Sequence, residues 1–574
     1  MNTSHRAVNL RRTSAAVVLL ALGSSVAALD GQPGIHDPAT VTEFNGRYYT
    51  AGTGGGLPLL VSDDGWTWRS AGTLMAGLPG GRAGPEVLAR GGGNTWAPDI
   101  IRVDDKVYVY YSAPATQPRS AVGLLIGRSL DPQSPDYKWQ DGGPVVWSDG
   151  IEDSNAIDPG VMRDSTDGSM WLVYGSYFGY IRQVELDPKT GQRKYPQRPP
   201  VNVAINSEAA IMIQHDGWYY LLVTHGSCCA GANSTYNIRM GRSRKVTGPF
   251  LDNMGIDMLE GGGKLFAGSR GRTVGPGHFG LLDLGDGVQK FSLHYEADLD
   301  RGGSSVLDIR PLLWRDGWPV AGENLVPGTY TIESARTGTV LEMAVQGAQV
   351  GGARGRGGAG GPAGAGGPGG RGAPGAGPPA RGGGAGGPGA GGPGAGGPAG
   401  PNAAGGPPGG GGGRGFPGGG AGGAGGPNGA AAPSAPVKIP DQDAAQVQAN
   451  WPSGRVGVRL APAMLQAQQQ WTIAPAEGAG GYPGAPYYKI TIAGTERALA
   501  ADAGGELVTL PAFTGAPEQL WRIDQLTDGS YRLMPKATPG MPRQLALSAV
   551  GSSSPSLSRF EPAGDRERWH IQLR

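Results

Sequence analysis

Between Val41 and Trp314, apolar and polar positions alternate with a period of two in short runs, and each run begins at a tight turn. The units are "NGRYYT" from Asn45, "DDKVYVYYS" from Asp104, "DGSMWLVYG" from Asp167, "DGWYYLLVT" from Asp216 and "DGVQKFSLHY" from Asp286. Asn-Gly and Asp-Gly between alternating runs signal hairpins, because both central residues of such a turn need positive φ. Most units add a further strand, as in "GLLIGRSLD" from Gly123 and "NIRMGRSRKVTGPF" from Asn237, and helical periodicity is nearly absent. Five such units predict an all-β chain whose first half is a five-bladed β-propeller. A sandwich would also be all-β but would not repeat a whole unit five times.

An acidic residue or a histidine stands a similar distance before each turn. Asp37 lies nine residues before Gly46, Asp158 ten before Gly168, Glu208 nine before Gly217 and His278 nine before Gly287. Asp99, in "NTWAPDII", precedes the second turn at a shorter spacing. If each opens the innermost strand of its blade, all five point toward one end of the central channel. A single such aspartate can merely satisfy backbone amides at a strand entry. Five converging ionisable groups are costly unless they are used.

The last third of the chain repeats differently. Trp471, Trp521 and Trp569 close three segments as "QQW", "QLW" and "ERW", and Tyr330, Tyr488 and Tyr531 open them, followed by leucines at Leu341, Leu499 and Leu545. These units resemble the ricin-type β-trefoil, whose Gln-x-Trp motifs pack into a pseudo-threefold core, so the tryptophans are expected in the core. Glu567 replaces the glutamine of the third motif, and Asp502 is the one sugar-ligand candidate in this module. The module is expected either to bind carbohydrate or to be a structural appendage. From 346 to 436 the sequence collapses into Gly, Ala, Pro and Arg without a strict three-residue period, which predicts a disordered insertion within the first repeat and argues against collagen.

Composition narrows the chemistry. The chain has 574 residues, enough for two or three domains, and a formal charge of +1 with no basic run, which leaves nucleic acid and anionic membranes without support as partners. Thirteen Trp and nineteen Tyr suit an uncharged polar ligand. Arginines at Arg6, Arg11 and Arg12 precede "SAAVVLLALGSSVAA", which reads as a secretory leader over residues 1–28, cleaved near Ala28. Ordinary export fits better than the twin-arginine route, and the destination is extracellular or periplasmic. The two cysteines are the neighbours Cys228 and Cys229, so there is no disulfide framework; the pair can close a small strained disulfide ring or coordinate a metal, and a local structural feature is expected rather than catalysis. The expected segments are the leader at 1–28, a propeller at 29–322 and a trefoil at 323–574.

Several carboxylates without a metal-ligand motif, in an exported all-β protein rich in aromatics, point to glycoside hydrolysis, which needs one protonated acid and one ionised carboxylate. No phosphate loop, His-Glu-x-x-His or Gly-x-Ser-x-Gly offers another chemistry. "HDPA" at His36, "NTWAPDI" at Asn94, "SAVGLLIGRS" at Ser120, "SNAIDPGV" at Ser154, "NSEAAIM" at Asn206, "CCAGANSTYNIRMGRS" at Cys228 and "GPGHFG" at Gly275 together resemble glycoside hydrolase family 43, and within it the endo-1,5-α-L-arabinanases.

That resemblance implies a five-bladed propeller that hydrolyses arabinan with inversion. It makes Asp37 the general base, Glu208 the general acid, and Asp158 the residue that tunes and orients the acid. Asn155, Ala156, Ile157, Asp158, Ser176, Tyr177 and Phe178, together with Asp37, would contact the sugar, with Trp96 on the floor or in blade packing. No cofactor is needed for the chemistry. One structural calcium or similar ion in the channel would be touched by His278, directly or through water. The expected partner is arabinan or a related polysaccharide, acted on by a monomer. Exo-acting arabinofuranosidase or β-xylosidase activity, and non-catalytic carbohydrate binding, are the alternatives. The long "AGLPGGRAGPEVLARGGG" before Asn94 departs from common arabinanases and leaves chain-length preference open.

Overall fold

The structure is a computed structural model that describes residues 29–116, 118–151, 154–345 and 451–574. The expected leader at 1–28 and the Gly-rich insertion at 346–436 lie outside the described residues.

The five turn-and-strand units each become an antiparallel sheet. Blade 1 consists of Thr42–Phe44, Arg47–Ala51, Pro58–Ser62 and Thr67–Thr73, with Asp30–Gly31 added in parallel on the last. Blade 2 runs from Trp96–Val103 to Gln140–Ser148, blade 3 from Gly160–Arg163 to Val201–Ile205, blade 4 from Glu208–His215 to Lys264–Ala267 and blade 5 from Val274–Asp283 to Trp318–Ala321, each with four strands in sequential order. The hairpin turns have the positive φ that their sequences ask for, as at Asn45, Asp216 and Asp286 and at the glycines that follow. The blade 3 turn is longer: Asp167 is not left-handed, and Asp164 N donates to Ser169 O at 2.8 Å, which accounts for the extra residue in the Asp158 spacing. The ring closes where the segment before Asp37 lies against blade 5, with Ile35 N bonded to Ser305 O and Leu307 N to Pro33 O.

The C-terminal region is a ten-stranded sheet whose extra pairing of Tyr488 with Trp521 curls it into a barrel. Trp471, Trp521 and Trp569 are fully buried, and their indole N–H groups donate to the carbonyls of Leu341, Leu499 and Leu547 at 2.9, 3.1 and 2.8 Å. The third leucine is therefore Leu547. Leu545, the residue expected from spacing after Tyr531, only packs against the margin of this core. The loop after Tyr531–Pro535 lengthens the forward spacing, whereas the distance back from the tryptophan is constant at 22 residues in the second and third repeats.

The barrel is bonded to the propeller through Asp64 Oδ2 and Gly481 N at 3.0 Å, Trp314 N and Thr527 O at 2.8 Å, and Thr527 N and Gly287 O at 2.9 Å. Asp524, fully buried, accepts from Arg522 and Arg532 at 2.8 Å each, and Lys290 of blade 5 is buried beside this group. Among the described residues, no helix is long and apolar enough to cross a membrane.

Candidate active site

The innermost strands share a backbone device. Asp37, Ala97, Asp158, Ala209 and His278 all have positive φ, at 50°, 37°, 54°, 48° and 62°. Left-handed backbone costs a non-glycine residue of order 1–3 kcal/mol and collects where structure serves function. In blades 2 and 4 the left-handed residue is an alanine, and the residues just before these are Trp96 and Glu208. Both line the same cavity as Asp37 and Asp158.

Blade 2 thus contributes Trp96 rather than Asp99, which corrects the expectation of five ionisable groups aimed at one opening. Asp99 is buried, with Oδ1 accepting from Thr40 N and Ile100 N at 3.1 and 3.0 Å and Oδ2 accepting from Val161 N at 2.8 Å. Its carboxylate ties blades 1, 2 and 3 together. The shorter spacing before Asp104 was the visible sign that Asp99 is out of register.

The cavity has a volume of about 600 Å³, and Asp37, Trp96, Ile157, Asp158, Ser176, Tyr177, Phe178 and Glu208 are all on its wall. Asn155 and Ala156, expected to touch the sugar, are fully buried behind it instead. Asn155 Oδ1 accepts from Ser120 Oγ at 2.7 Å, and Ala156 N donates to Ser148 Oγ at 3.1 Å, so they hold the loop that presents Ile157 and Asp158. Tyr177 sits in a reciprocal pair, its hydroxyl donating to Gly226 O and accepting from Gly226 N, both at 2.8 Å. Gly226 has φ of 109°, and a Cβ there would lie 2.4 Å from Thr235 O, so the close approach needs glycine.

Asp37 is ringed by histidines. Its Oδ1 lies 3.5 Å from His36 Nε2, 3.5 Å from His278 Nδ1 and 3.8 Å from His294 Nδ1, while Oδ2 accepts from Thr53 Oγ1 at 2.6 Å. Burial opposes ionisation, but the His278 contact and the nearby imidazoles of His36 and His278 outweigh it and hold the carboxyl well below the usual range. Asp37 N donates to His294 Nδ1 at 3.0 Å, so that nitrogen is unprotonated; burial pushes His294 down to about 3, which keeps the ring neutral.

Glu208 moves the other way. Burial raises its pKa and the charge of Asp37 adds to the rise, against hydrogen bonds from Ser176 Oγ to Oε2 at 2.6 Å and from Tyr236 Oη to Oε1. Burial, with the charges of Glu208 and Asp37, also holds Asp158 well above the carboxylate range, and its Oδ2 accepts from Ala209 N at 3.2 Å. Asp158 and Glu208 are therefore biased toward the protonated form on the same cavity in which Asp37 is biased toward the ionised one.

His278 lies beneath, lining a much smaller space that also includes Asp99. Its Nδ1 is buried 3.5 Å from Asp37 Oδ1 and has no hydrogen-bond partner among the described residues. A calcium ion wants six to eight oxygens, yet Asp99 spends both oxygens on backbone amides and Asp158 Oδ2 and Asp37 Oδ2 are engaged. The space beside His278 is also only about 10 Å³, no more than about one water, so these residues do not fit a calcium ion with its water shell. Two further groups, His36 with Cys228 and Cys229, and His36 with Asp37 and His294, bring ligand atoms within 4.8 Å of one another, but Cys228 and Cys229 are joined as a disulfide.

Sequence reasoning did not assign His36, Thr53, Tyr236 or His294 to the site. The first had a signal, adjacency to Asp37; the others reach it only through the fold. In the barrel, Asp502 is paired with Arg455, so its carboxylate is already engaged.

Comparison with known proteins agrees with this chemistry. Residues 32–319 match the family model described as glycosyl hydrolases family 43, and 467–555 match the ricin-type β-trefoil lectin domain-like model. An extracellular exo-α-(1→5)-L-arabinofuranosidase of Cellvibrio japonicus is 33% identical over 53% of this chain and 91% of its own length. An extracellular endo-α-(1→5)-L-arabinanase of Bacillus subtilis is 33% identical over 50% of this chain and 87% of its own. A probable arabinan endo-1,5-α-L-arabinosidase of Aspergillus flavus is 31% identical over 44% and 79%.

Proposed function

This chain belongs to glycosyl hydrolases family 43 and is a glycosidase, and from that premise we propose that it cleaves internal α-1,5-L-arabinofuranosidic bonds of arabinan with inversion. The observation that carries the assignment of roles is that two carboxylates on one cavity are displaced in opposite directions, Asp37 down and Glu208 up. Paired groups whose surroundings drive their pKa values apart divide naturally into base and acid.

In this reading Asp37 accepts a proton from a water molecule as the water oxygen attacks the anomeric carbon. Glu208 gives its proton to the departing glycosidic oxygen, and one water is consumed per bond broken. The carboxylate left on Glu208 is stabilised at once by the hydroxyls of Ser176 and Tyr236. Thr53 and the imidazoles hold Asp37 in place. Asp158, fixed by Ser112 Oγ through its backbone N–H and by Ala209 N through its carboxylate, tunes the pKa of Glu208 and orients that acid.

Export is inferred from the leader pattern and from relatives named as extracellular. The enzyme is proposed to act on arabinan as a monomer, and the barrel module to hold polysaccharide near the cavity.

Early products from linear α-1,5-arabinan test the mode of action. A spread of oligosaccharides with a rapid fall in viscosity supports internal cleavage; a single short product from the chain end supports the exo alternative, which the similarity to the Cellvibrio relative keeps in view.

A further inference from the structure

One part of the cavity wall has no polar donor and no assigned task. It is formed by Cys228 and Cys229, adjacent residues joined by a disulfide, both lining the cavity. Cys229 is exposed and held at φ of 62°. The two sulfurs lie 3.6 and 3.8 Å from His36 Nε2, which is 3.5 Å from Asp37 Oδ1. The disulfide therefore stands one side chain away from the base.

This wall is held from several sides. Ser305 donates to Glu296 Oε1 at 2.9 Å, so it accepts from His36 Nδ1 at 2.9 Å, and the ring is fixed against the sulfurs. The loop that carries the cysteines is tied by Ser227 N to Thr235 Oγ1 at 2.9 Å and by Ala232 N to Gly302 O at 2.8 Å.

We propose that the Cys228–Cys229 disulfide is a substrate-binding surface for the sugar unit at the cleaved bond, and so a determinant of affinity in this enzyme. A bridge between neighbours offers two polarisable sulfurs and two β-carbons without an N–H or O–H group. A furanose offers C–H groups on its ring face and hydroxyls at its edge. Packing of the ring face on the disulfide gains dispersion and removes apolar surface from water, and leaves the hydroxyls to the carboxylates and Ser176. Opening the bridge would add thiol protons and release the turn. The inference rests on the glycosidase reading above.

The test is reduction of the folded enzyme with a water-soluble phosphine. The phosphine becomes its oxide, taking oxygen from water, as the disulfide gains two electrons and two protons to give two thiols. KM and kcat are measured on a linear arabino-oligosaccharide before and after, with thiol titration of the chain's two cysteines. The expected result is a KM higher by about tenfold with kcat changed by less than about threefold, reversed on reoxidation. A Cys228→Ala, Cys229→Ala double variant should show the raised KM without phosphine and no response to it. Two titratable thiols with unchanged KM, or a double variant with the untreated enzyme's KM, would overturn the inference. Absence of hydrolysis by the untreated enzyme would instead overturn the glycosidase reading.

Discussion

Tyr236 donates its hydroxyl to Glu208 Oε1 inside the cavity, while Ser176 holds the other oxygen at 2.6 Å. Both donors favour the ionised acid and so oppose the burial that raises it. An acid must be protonated to act, so activity falls as pH rises through its pKa. Tyr236→Phe removes a donor, raises Glu208 further and should move the alkaline limb of kcat/KM to higher pH, with a lower kcat because the nascent carboxylate loses support. A pH–rate profile reads both; an alkaline limb moving to lower pH would contradict this assignment.

Asp99 is predicted to matter for folding. Asp99→Asn places an NH₂ group against a backbone N–H that now donates to a carboxylate oxygen, at a cost of about 1–3 kcal/mol. The melting temperature should drop while kcat/KM measured well below it stays near that of the parent. Unchanged melting would show that the three amides find other partners.

The buried charges at the barrel contact are unequal. Asp524→Ala strands Arg522, leaves Arg532 only Asp286 at 3.5 Å, and should destabilise by about 3–5 kcal/mol. Lys290 is pushed down to about 8 by burial. Its unfolded value is near 10.4, so between these the unfolded chain binds more protons, and this group makes stability rise with pH across that window. Lys290→Met should be no less stable at neutral pH and should lose that contribution, read from denaturation at a series of pH values.

The fold was legible because its signals are local. Turn residues and two-residue alternation mark each hairpin, and the tryptophan spacing marks the barrel. Repeat register marked the side chains contributed by the strand entries, as with Asp37, Asp158 and Glu208, whereas Ile157, Ser176, Tyr177 and Phe178 on the same wall were expected only through the family resemblance. Tyr236 reaches Glu208 across 28 residues, and His294 reaches the backbone of Asp37 across 257, distances over which no pattern in the chain reports contact. Asp99 is out of register because the left-handed position of blade 2 falls on Ala97, which the spacing of a nearby carboxylate does not report. Asn155 and Ala156 adjoin Asp158 in sequence, but the chain turns them into the core.

The most direct measurement is release of reducing ends from linear α-1,5-arabinan by the parent chain and by Asp37→Asn and Glu208→Gln, each first shown to melt with the parent. The account predicts hydrolysis by the parent and a loss of about 10²–10⁴-fold in kcat for either variant. A folded variant at either position that keeps a substantial fraction of the parent rate would contradict it.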